Sequence, residues 1–104
     1  MTGFTYGADS ENGEHIDDPT EDDIYMVVDD LNTTDNTFVV IQPYGDDSAW
    51  YVSVLRRDTG YEVVRRDNRS REEDVTTRAT ISGIASDLIV WLKARNVPLR
   101  LTRR

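Results

Sequence analysis

The feature that most constrains the fold is a succession of three extended, apolar segments in the middle of the chain, at 37–41, 49–57 and 61–64. They are rich in valine and aromatic residues, which favour the pleated, half-buried surface of a strand. Short polar turns join them, and connections of this length link neighbouring strands that run in opposite directions. The segments therefore predict a mainly antiparallel sheet.

The second segment predicts apolar groups on both faces of that sheet. Successive side chains of a strand point to opposite faces, so Trp50, Val52 and Val54 share one face. Tyr51 and Leu55 point to the other. Neither face is therefore wholly polar.

The second and third segments are predicted to form a tight hairpin. Asp58-Thr59-Gly60 has the composition of a three-residue loop. This loop places Arg57 opposite Tyr61 and Arg56 opposite Glu62. The register matches opposite charges across the two strands.

A helix start precedes the strands at Asp18-Pro19-Thr20-Glu21. Asp18 is predicted as the N-cap, Pro19 as the first helical residue and Glu21 as the partner in a capping box. Apolar residues then recur at spacings of three and four, which indicates one buried stripe on a helix of about three turns. The stripe consists of Ile24, Val27, Val28 and Leu31.

A second helix is predicted near the end of the chain. It starts near Thr80 or Ser82 and carries apolar residues at helical spacing. Asn96 is the predicted C-cap, and Pro98 prevents the helix from continuing. Among the aromatic residues of the chain, Trp91 is the one that we most expect in the core.

The remaining segments complete an α+β pattern. Residues 1–17 predict a leading hairpin or a partly mobile segment, 75–80 a further strand, and 98–104 a C-terminal tail or edge strand. The order predicts a single α+β domain over 1–104, in which a mainly antiparallel sheet of four to six strands carries two packed helices.

Charge is divided unevenly along the chain. No lysine or arginine occurs in the first 55 residues, whereas all 12 occur from Arg56 onward. Residues 1–55 carry 13 acids and residues 56–104 carry seven, so the halves have charges of −13 and +5 (12 − 7), which sum to −8. A GC-rich genome or salt adaptation would also favour Asp and Arg, but would spread the acids over the whole chain. The asymmetry points to a charged partner.

The chain offers little for catalysis. It has no cysteine and one histidine, His15, which we expect at the surface. It contains no nucleophile motif and no phosphate-cradling glycine loop, and its clustered acids lack the spacing of a calcium loop. We therefore expect a non-catalytic protein without a cofactor or a metal site.

We expect a cytoplasmic protein that does not enter a membrane. The absence of cysteine fits a reducing compartment. The first residues lack a basic, apolar leader, and no run approaches the ~18 apolar residues of a membrane span.

The arginines of the second half raise the question of nucleic-acid binding. The acidic half would repel a duplex, so we expect no direct contact with nucleic acid. We expect the arginines instead to pair within the molecule. Their predicted partners are Glu62, Asp67, Glu72, Glu73 and the acids of the first helix.

Several short motifs follow one another over roughly residues 1–95: Asp18-Pro19-Thr20, Phe38-Val39-Val40, Trp50-Tyr51-Val52-Ser53-Val54, Gly60-Tyr61-Glu62-Val63 and Trp91-Leu92. This series resembles small actinobacterial immunity proteins, which are cytosolic antidotes encoded beside polymorphic or secreted toxins. The tail after Pro98 departs from the pattern. The resemblance implies a fold and a class of protein rather than individual binding residues.

Together with the charge, the resemblance implies that the acidic half blocks a basic protein partner, a toxin enzyme, by steric and electrostatic means. Asp29 and Asp30 fit this role, because carboxylates near a helix C-terminus oppose the helix dipole. Candidate aromatic anchors are Tyr25, Tyr44, Trp50 and Tyr51, of which Tyr44 in its turn is expected to be exposed. The predicted surface comprises Asp17, Asp18, Glu21, Asp22, Asp29, Asp30, Tyr44, Asp46 and Asp47.

Two other classes stay open at this point. A self-associating structural domain could pair the acidic half of one copy with the basic half of another, giving a weak homodimer instead of a monomer. A nucleic-acid mimic would use the same acids against a DNA-binding protein.

Overall fold

Eight secondary-structure elements follow one another in the computed structural model, which describes residues 6–44 and 49–95. In chain order they are β1 (Tyr6–Ser10), β2 (His15–Asp17), α1 (Glu21–Asp29), β3 (Phe38–Pro43), β4 (Trp50–Arg57), β5 (Gly60–Asp67), β6 (Glu72–Arg78) and α2 (Ile81–Lys93). The predicted leading hairpin is confirmed as β1 and β2. The predicted tail at 98–104 lies outside the described residues.

The strands form one six-stranded sheet in the order β2-β1-β3-β4-β5-β6. Every neighbouring pair is antiparallel. Both helices pack on the same face of the sheet and bury their apolar stripes against it. The predicted α+β class is therefore confirmed.

The first helix begins later than the sequence suggested. Thr20 is the N-cap: its hydroxyl accepts from the Asp23 amide at 3.2 Å, and the Asp23 carboxylate accepts from the Thr20 amide at 2.9 Å. The prediction of Asp18 as N-cap was wrong, because Asp18 adopts a φ of +44° and accepts from the Tyr6 amide at 3.1 Å. The capping box exists, displaced by two residues.

The second helix confirms one predicted end and corrects the other. Thr80 is the N-cap, and its hydroxyl accepts from the Gly83 amide at 3.2 Å. The helix is already capped at Ala94, so the prediction of Asn96 as C-cap was wrong.

The β4–β5 hairpin is one residue out of the predicted register. Arg57 pairs with Gly60 and Arg56 with Tyr61, so only two residues form the turn. Gly60 belongs to the strand with a φ of +150°, and a Cβ there would lie 2.7 Å from the Arg78 carbonyl oxygen. Glycine is therefore required by the close approach of β6, not by a wider loop. In this register the Arg56 guanidinium lies 5.0 Å from the centre of the Tyr61 ring.

A series of aromatic contacts joins α2 to the sheet. Trp50 of β4 is buried and meets Trp91 edge-on, with ring centres 5.8 Å apart. On its other side Trp50 lies 6.5 Å from the Tyr6 ring. Trp91 packs against the core but is only partly buried, whereas Trp50 is buried, so the prediction of Trp91 as the surest aromatic core residue was wrong. Its outer face is covered by the Arg95 guanidinium, 3.6 Å from the ring centre.

Asp67 at the end of β5 holds that guanidinium in place. Its buried carboxylate accepts from Arg95 Nε at 2.8 Å and from the Arg69 amide at 3.0 Å. Burial by itself would raise the pKa of Asp67, but these donors outweigh burial and lower it. The ion pair therefore attaches the C-terminal end of α2 to strand β5 of the sheet.

We predict that Asp67→Ala lowers the free energy of unfolding by about 2 kcal/mol, because it leaves the largely buried Arg95 without its acceptor. Urea denaturation followed by tryptophan fluorescence measures this change. The matched control is Glu73→Ala, which removes a solvent-exposed ion pair of 3.7 Å and should cost at most about 0.5 kcal/mol. Equal losses in the two variants would contradict the assigned role of Asp67.

Candidate binding surface

Most of the described lysine and arginine side chains form ion pairs, and nearly all of these pairs are with acids of the second half. Within the described residues, ion pairs join Arg57 to Glu62, Arg65 to Asp74, Arg66 to Glu73, Arg78 to Asp87, Arg69 to Asp67, and Arg95 to Asp67 and Glu72. This confirms the prediction that the arginines pair within the molecule. The prediction that they also pair with the acidic helix was wrong, because the described arginines that form ion pairs do so with acids of the second half. Of the lysine and arginine side chains described, Lys93 is the one that pairs with an acid of the first half, at 2.8 Å from Glu21.

The outer face of α1 therefore keeps its negative charge. Asp22, Tyr25, Met26 and Asp29 are spaced at i, i+3, i+4 and i+7, so they form one stripe opposite the buried one. Tyr25 is 38% exposed and Met26 40% exposed, which is high for such large apolar side chains. The stripe borders a shallow groove that Ile81 closes from α2.

The α1 stripe is held rigidly. The capping box fixes its first turn, and the Glu21–Lys93 ion pair ties that turn to α2. Tyr25 Oη lies 3.2 Å from Ser86 Oγ, and this contact holds the end of the ring at α2. A partner would therefore meet a preformed surface.

Two of the predicted surface residues serve the fold instead. Asp18 binds the backbone of β1, and Glu21 is half-buried in its ion pair with Lys93. Asp22, Asp29 and Asp30 are exposed as predicted, with Asp30 at the C-cap. Asp46 and Asp47 lie outside the described residues.

Asp17 and Tyr44 form a separate corner on the other face of the sheet. Asp17 pairs with Gly7, whose neighbours in β1 point into the core. The Tyr44 ring lies directly over Gly7, where a Cβ would be 2.2 Å from the tyrosine oxygen. Gly7 therefore provides the space that lets Tyr44 reach Asp17. The predicted single acidic surface is divided between two faces.

His15 sits at the centre of this corner with a carboxylate on each ring nitrogen. Its Nδ1 is 2.5 Å from Asp9 and its Nε2 is 2.9 Å from Asp17. Tyr44 Oη also lies 2.8 Å from Nε2, and it donates to Asp17. The single histidine is exposed as predicted, but the sequence did not reveal its partners, because β1–β2 pairing brings Asp9 and His15 opposite each other.

The charges of the corner act on one another. Hydrogen bonds that the protonated ring donates, first to Asp9 and then to Asp17, raise the pKa of His15. Hydrogen bonds from Tyr44, then His15, lower the pKa of Asp17. Burial and then the bond to Asp17 raise the pKa of Tyr44.

The face of the sheet that carries this corner is partly apolar elsewhere. Phe38 is 37% exposed and Val75 54% exposed, with Val40, Leu55 and Val64 half-buried between them. The prediction of apolar groups on both faces is confirmed. Of the four candidate aromatic anchors, Trp50 is buried and Tyr51 half-buried, whereas Tyr25 and Tyr44 are exposed.

Met26 is the member of the α1 stripe that sequence reasoning missed. The sequence did contain a signal for an exposed contact residue, since Met26 lies four residues after Asp22 and outside the apolar stripe of the helix. An apolar residue at a position that helical spacing assigns to solvent indicates a contact surface.

The described residues contain no group of three or more His, Asp or Glu side chains arranged to hold a metal ion. Neither α1 nor α2 has the length and apolar sequence needed to span a membrane. Comparison of the chain with protein-family models, with curated proteins and with solved structures finds no match.

We predict that the His15 imidazole titrates above its ordinary pKa of 6.5. Because the folded corner binds the proton more tightly than the unfolded chain does, its stabilising effect is complete below pH 6.5 and is lost as the pH rises through the higher folded-state pKa. An NMR titration reads this from one signal, since the chain has a single histidine. Asp9→Asn should lower the midpoint, and a wild-type midpoint at or below 6.5 would refute the arrangement.

Proposed function

We propose that this protein is a non-catalytic acidic binding protein that acts in the cytoplasm as an immunity protein and neutralises a basic toxin enzyme by protein–protein blockade. The observation that carries the proposal is the α1 stripe, where the exposed Tyr25 and Met26 lie between the carboxylates of Asp22 and Asp29. The resemblance to small immunity proteins agrees with it.

The charges of the stripe supply speed and orientation. Asp22, Asp29 and Asp30 are exposed, and the described arginines that form ion pairs do so with acids of the second half. Their field therefore extends into solvent and attracts a positively charged cleft. Such clefts are typical of enzymes whose substrates are polyanions.

The apolar groups of the stripe supply affinity. Charge pairs at an exposed interface contribute little net free energy, whereas a desolvated aromatic side chain can dominate binding. Tyr25 and Met26 together offer a rigid ring and an adaptable thioether at the centre of the acidic field. Because α1 is fixed by its capping box and by Lys93, little conformational entropy is lost on binding.

The proposed contact surface is therefore narrower than the sequence predicted. It is centred on Asp22, Tyr25, Met26, Asp29 and Asp30 of α1. A nine-residue helix is about 14 Å long, which suits the width of an enzyme cleft. Inhibition would follow from occupying the cleft with carboxylates where the substrate places its own negative charges.

The partner can be sought by affinity capture from the source cells at low and moderate salt, followed by mass spectrometry and an activity assay of the captured enzyme. One basic enzyme that is retained at moderate salt and inhibited stoichiometrically would support the proposal. Retention of an enzyme whose activity is unchanged would contradict it.

With the partner in hand, we predict that Asp29→Lys combined with Asp30→Lys slows association about tenfold or more at low salt and weakens its salt dependence. Stopped-flow or surface plasmon resonance measures the rate constant. The matched control, Glu14→Lys with Asp58→Lys, makes the same charge change at exposed sites away from α1 and should have a much smaller effect. Equal effects of both pairs would show that net charge, and not the stripe, governs encounter.

We further predict that Tyr25→Ala speeds dissociation about tenfold or more, because it removes an aromatic anchor that the bound partner would bury. Tyr25→Phe keeps the ring and loses only the hydroxyl that meets Ser86, so it should bind nearly as the wild type does. If both substitutions left the dissociation rate unchanged, the partner would not contact α1.

A further inference from the structure

The two most exposed large apolar side chains of the described residues lie at the edge strand β6, one within it and one beside it. Val75 is 54% exposed at the centre of β6, on the sheet face without helices. Val90 is 69% exposed on α2 and lines, with Arg78 and Asp87, the groove between that helix and the β5–β6 hairpin. Apolar exposure is therefore concentrated at one edge of the molecule.

β6 is also the longer of the two edge strands. It has seven residues, whereas β2 at the other edge has three. In the described part of the chain, β6 pairs with β5 on one side and with no strand on the other. A long edge strand offers a row of backbone donors and acceptors to another strand.

The sequence of β6 is complementary to itself when the strand is reversed. A two-fold axis through Val75 pairs the seven residues 72–78 with the same residues of another copy, with Glu72 opposite Arg78 at both ends. Glu73 then faces Thr77, Asp74 faces Thr76, and Val75 faces Val75. In this register no like charges lie directly opposite each other.

Other registers are less favourable. A two-fold axis perpendicular to the sheet keeps the helices of both copies on one side. Such an axis requires one residue of β6 to lie opposite the same residue of the other copy, so each possible register is defined by that central residue. An axis through Asp74 opposes two carboxylates, and an axis through Thr76 shortens the pairing to five residues. The register centred on Val75 pairs the whole strand.

Here we infer that β6 is a self-association edge, through which two copies of this chain join into one continuous antiparallel sheet. The row of Val64 and Val75 on the open face would then continue into the same row of the second copy. On the other face the exposed Val90 of each α2 lies beside the junction. This inference is independent of the proposed function, and α1 contributes nothing to the junction.

Sedimentation equilibrium of the full chain at concentrations up to about 1 mM tests the inference. We expect a species of twice the 11.9 kDa chain mass. Val75→Asp places two carboxylates opposite each other at the axis and should weaken association at least tenfold or so. Gln42→Asp adds the same charge to the open face of β3 and should leave association unchanged. A wild-type monomer throughout, or a dimer indifferent to Val75→Asp, would overturn the inference.

A charge exchange tests the register. Glu72→Arg alone and Arg78→Glu alone each place like charges opposite each other and should weaken the dimer. The double variant restores opposite charges across the axis, although the bonds to Arg95 and Asp87 within each copy stay broken. Recovery of the dimer in the double variant therefore separates pairing between copies from effects inside one copy, and failure to recover would reject this register.

Hydrogen exchange of the wild-type protein needs no variant. The β6 amides that point away from β5 should exchange more slowly at high than at low protein concentration, while those of α1 do not change. Protection of these outward amides that is independent of concentration would mean that another segment of the same chain covers β6, which would also overturn the inference.

Discussion

The rest of the structure depends on one series of contacts, which joins Tyr6, Trp50, Trp91 and Arg95. It runs from β1 through β4 to the last turn of α2, so it fixes the final helix across the middle of the sheet. The Asp67 carboxylate completes it by holding Arg95 over the tryptophan. With α2 in place, α1 has a neighbour to pack against, and the Glu21–Lys93 pair can form. The rigidity of the candidate binding stripe thus derives from a contact on another element.

The same arrangement explains the distribution of charge. The second half forms its own ion pairs along β5, β6 and α2, where antiparallel neighbours bring opposite charges into register. The first half has acids but no lysine or arginine, so folding leaves the outer face of α1 negative. A binding partner can therefore place its basic groups against these carboxylates. The acidic stripe and the β6 edge lie on different elements, so a dimer could present two stripes at once.

Sequence reasoning succeeded where one local signal was sufficient. The apolar stripe of α1, a start of α2 near Thr80 or Ser82 and the antiparallel order of strands were all predicted, because each depends on spacing or on a short connection. It failed where a distant contact decided the outcome. Asp18 was a reasonable N-cap until pairing of β1 with β2 drew its carboxylate to the Tyr6 amide. Gly60 was a reasonable loop residue until the backbone of Arg78 required a glycine inside the strand.

The sequence by itself determined the fold class and the imbalance of charge, since periodicity and composition are properties of the chain. Only the tertiary structure decided which acids share a surface. Asp17 and Asp22 are five residues apart in sequence, yet the strand presents one on the open face and the helix presents the other on the opposite side. It likewise placed His15 between two carboxylates and Val75 at the centre of the edge strand β6. Neighbours in space are set by strand pairing and packing, which bring together residues that no local pattern relates.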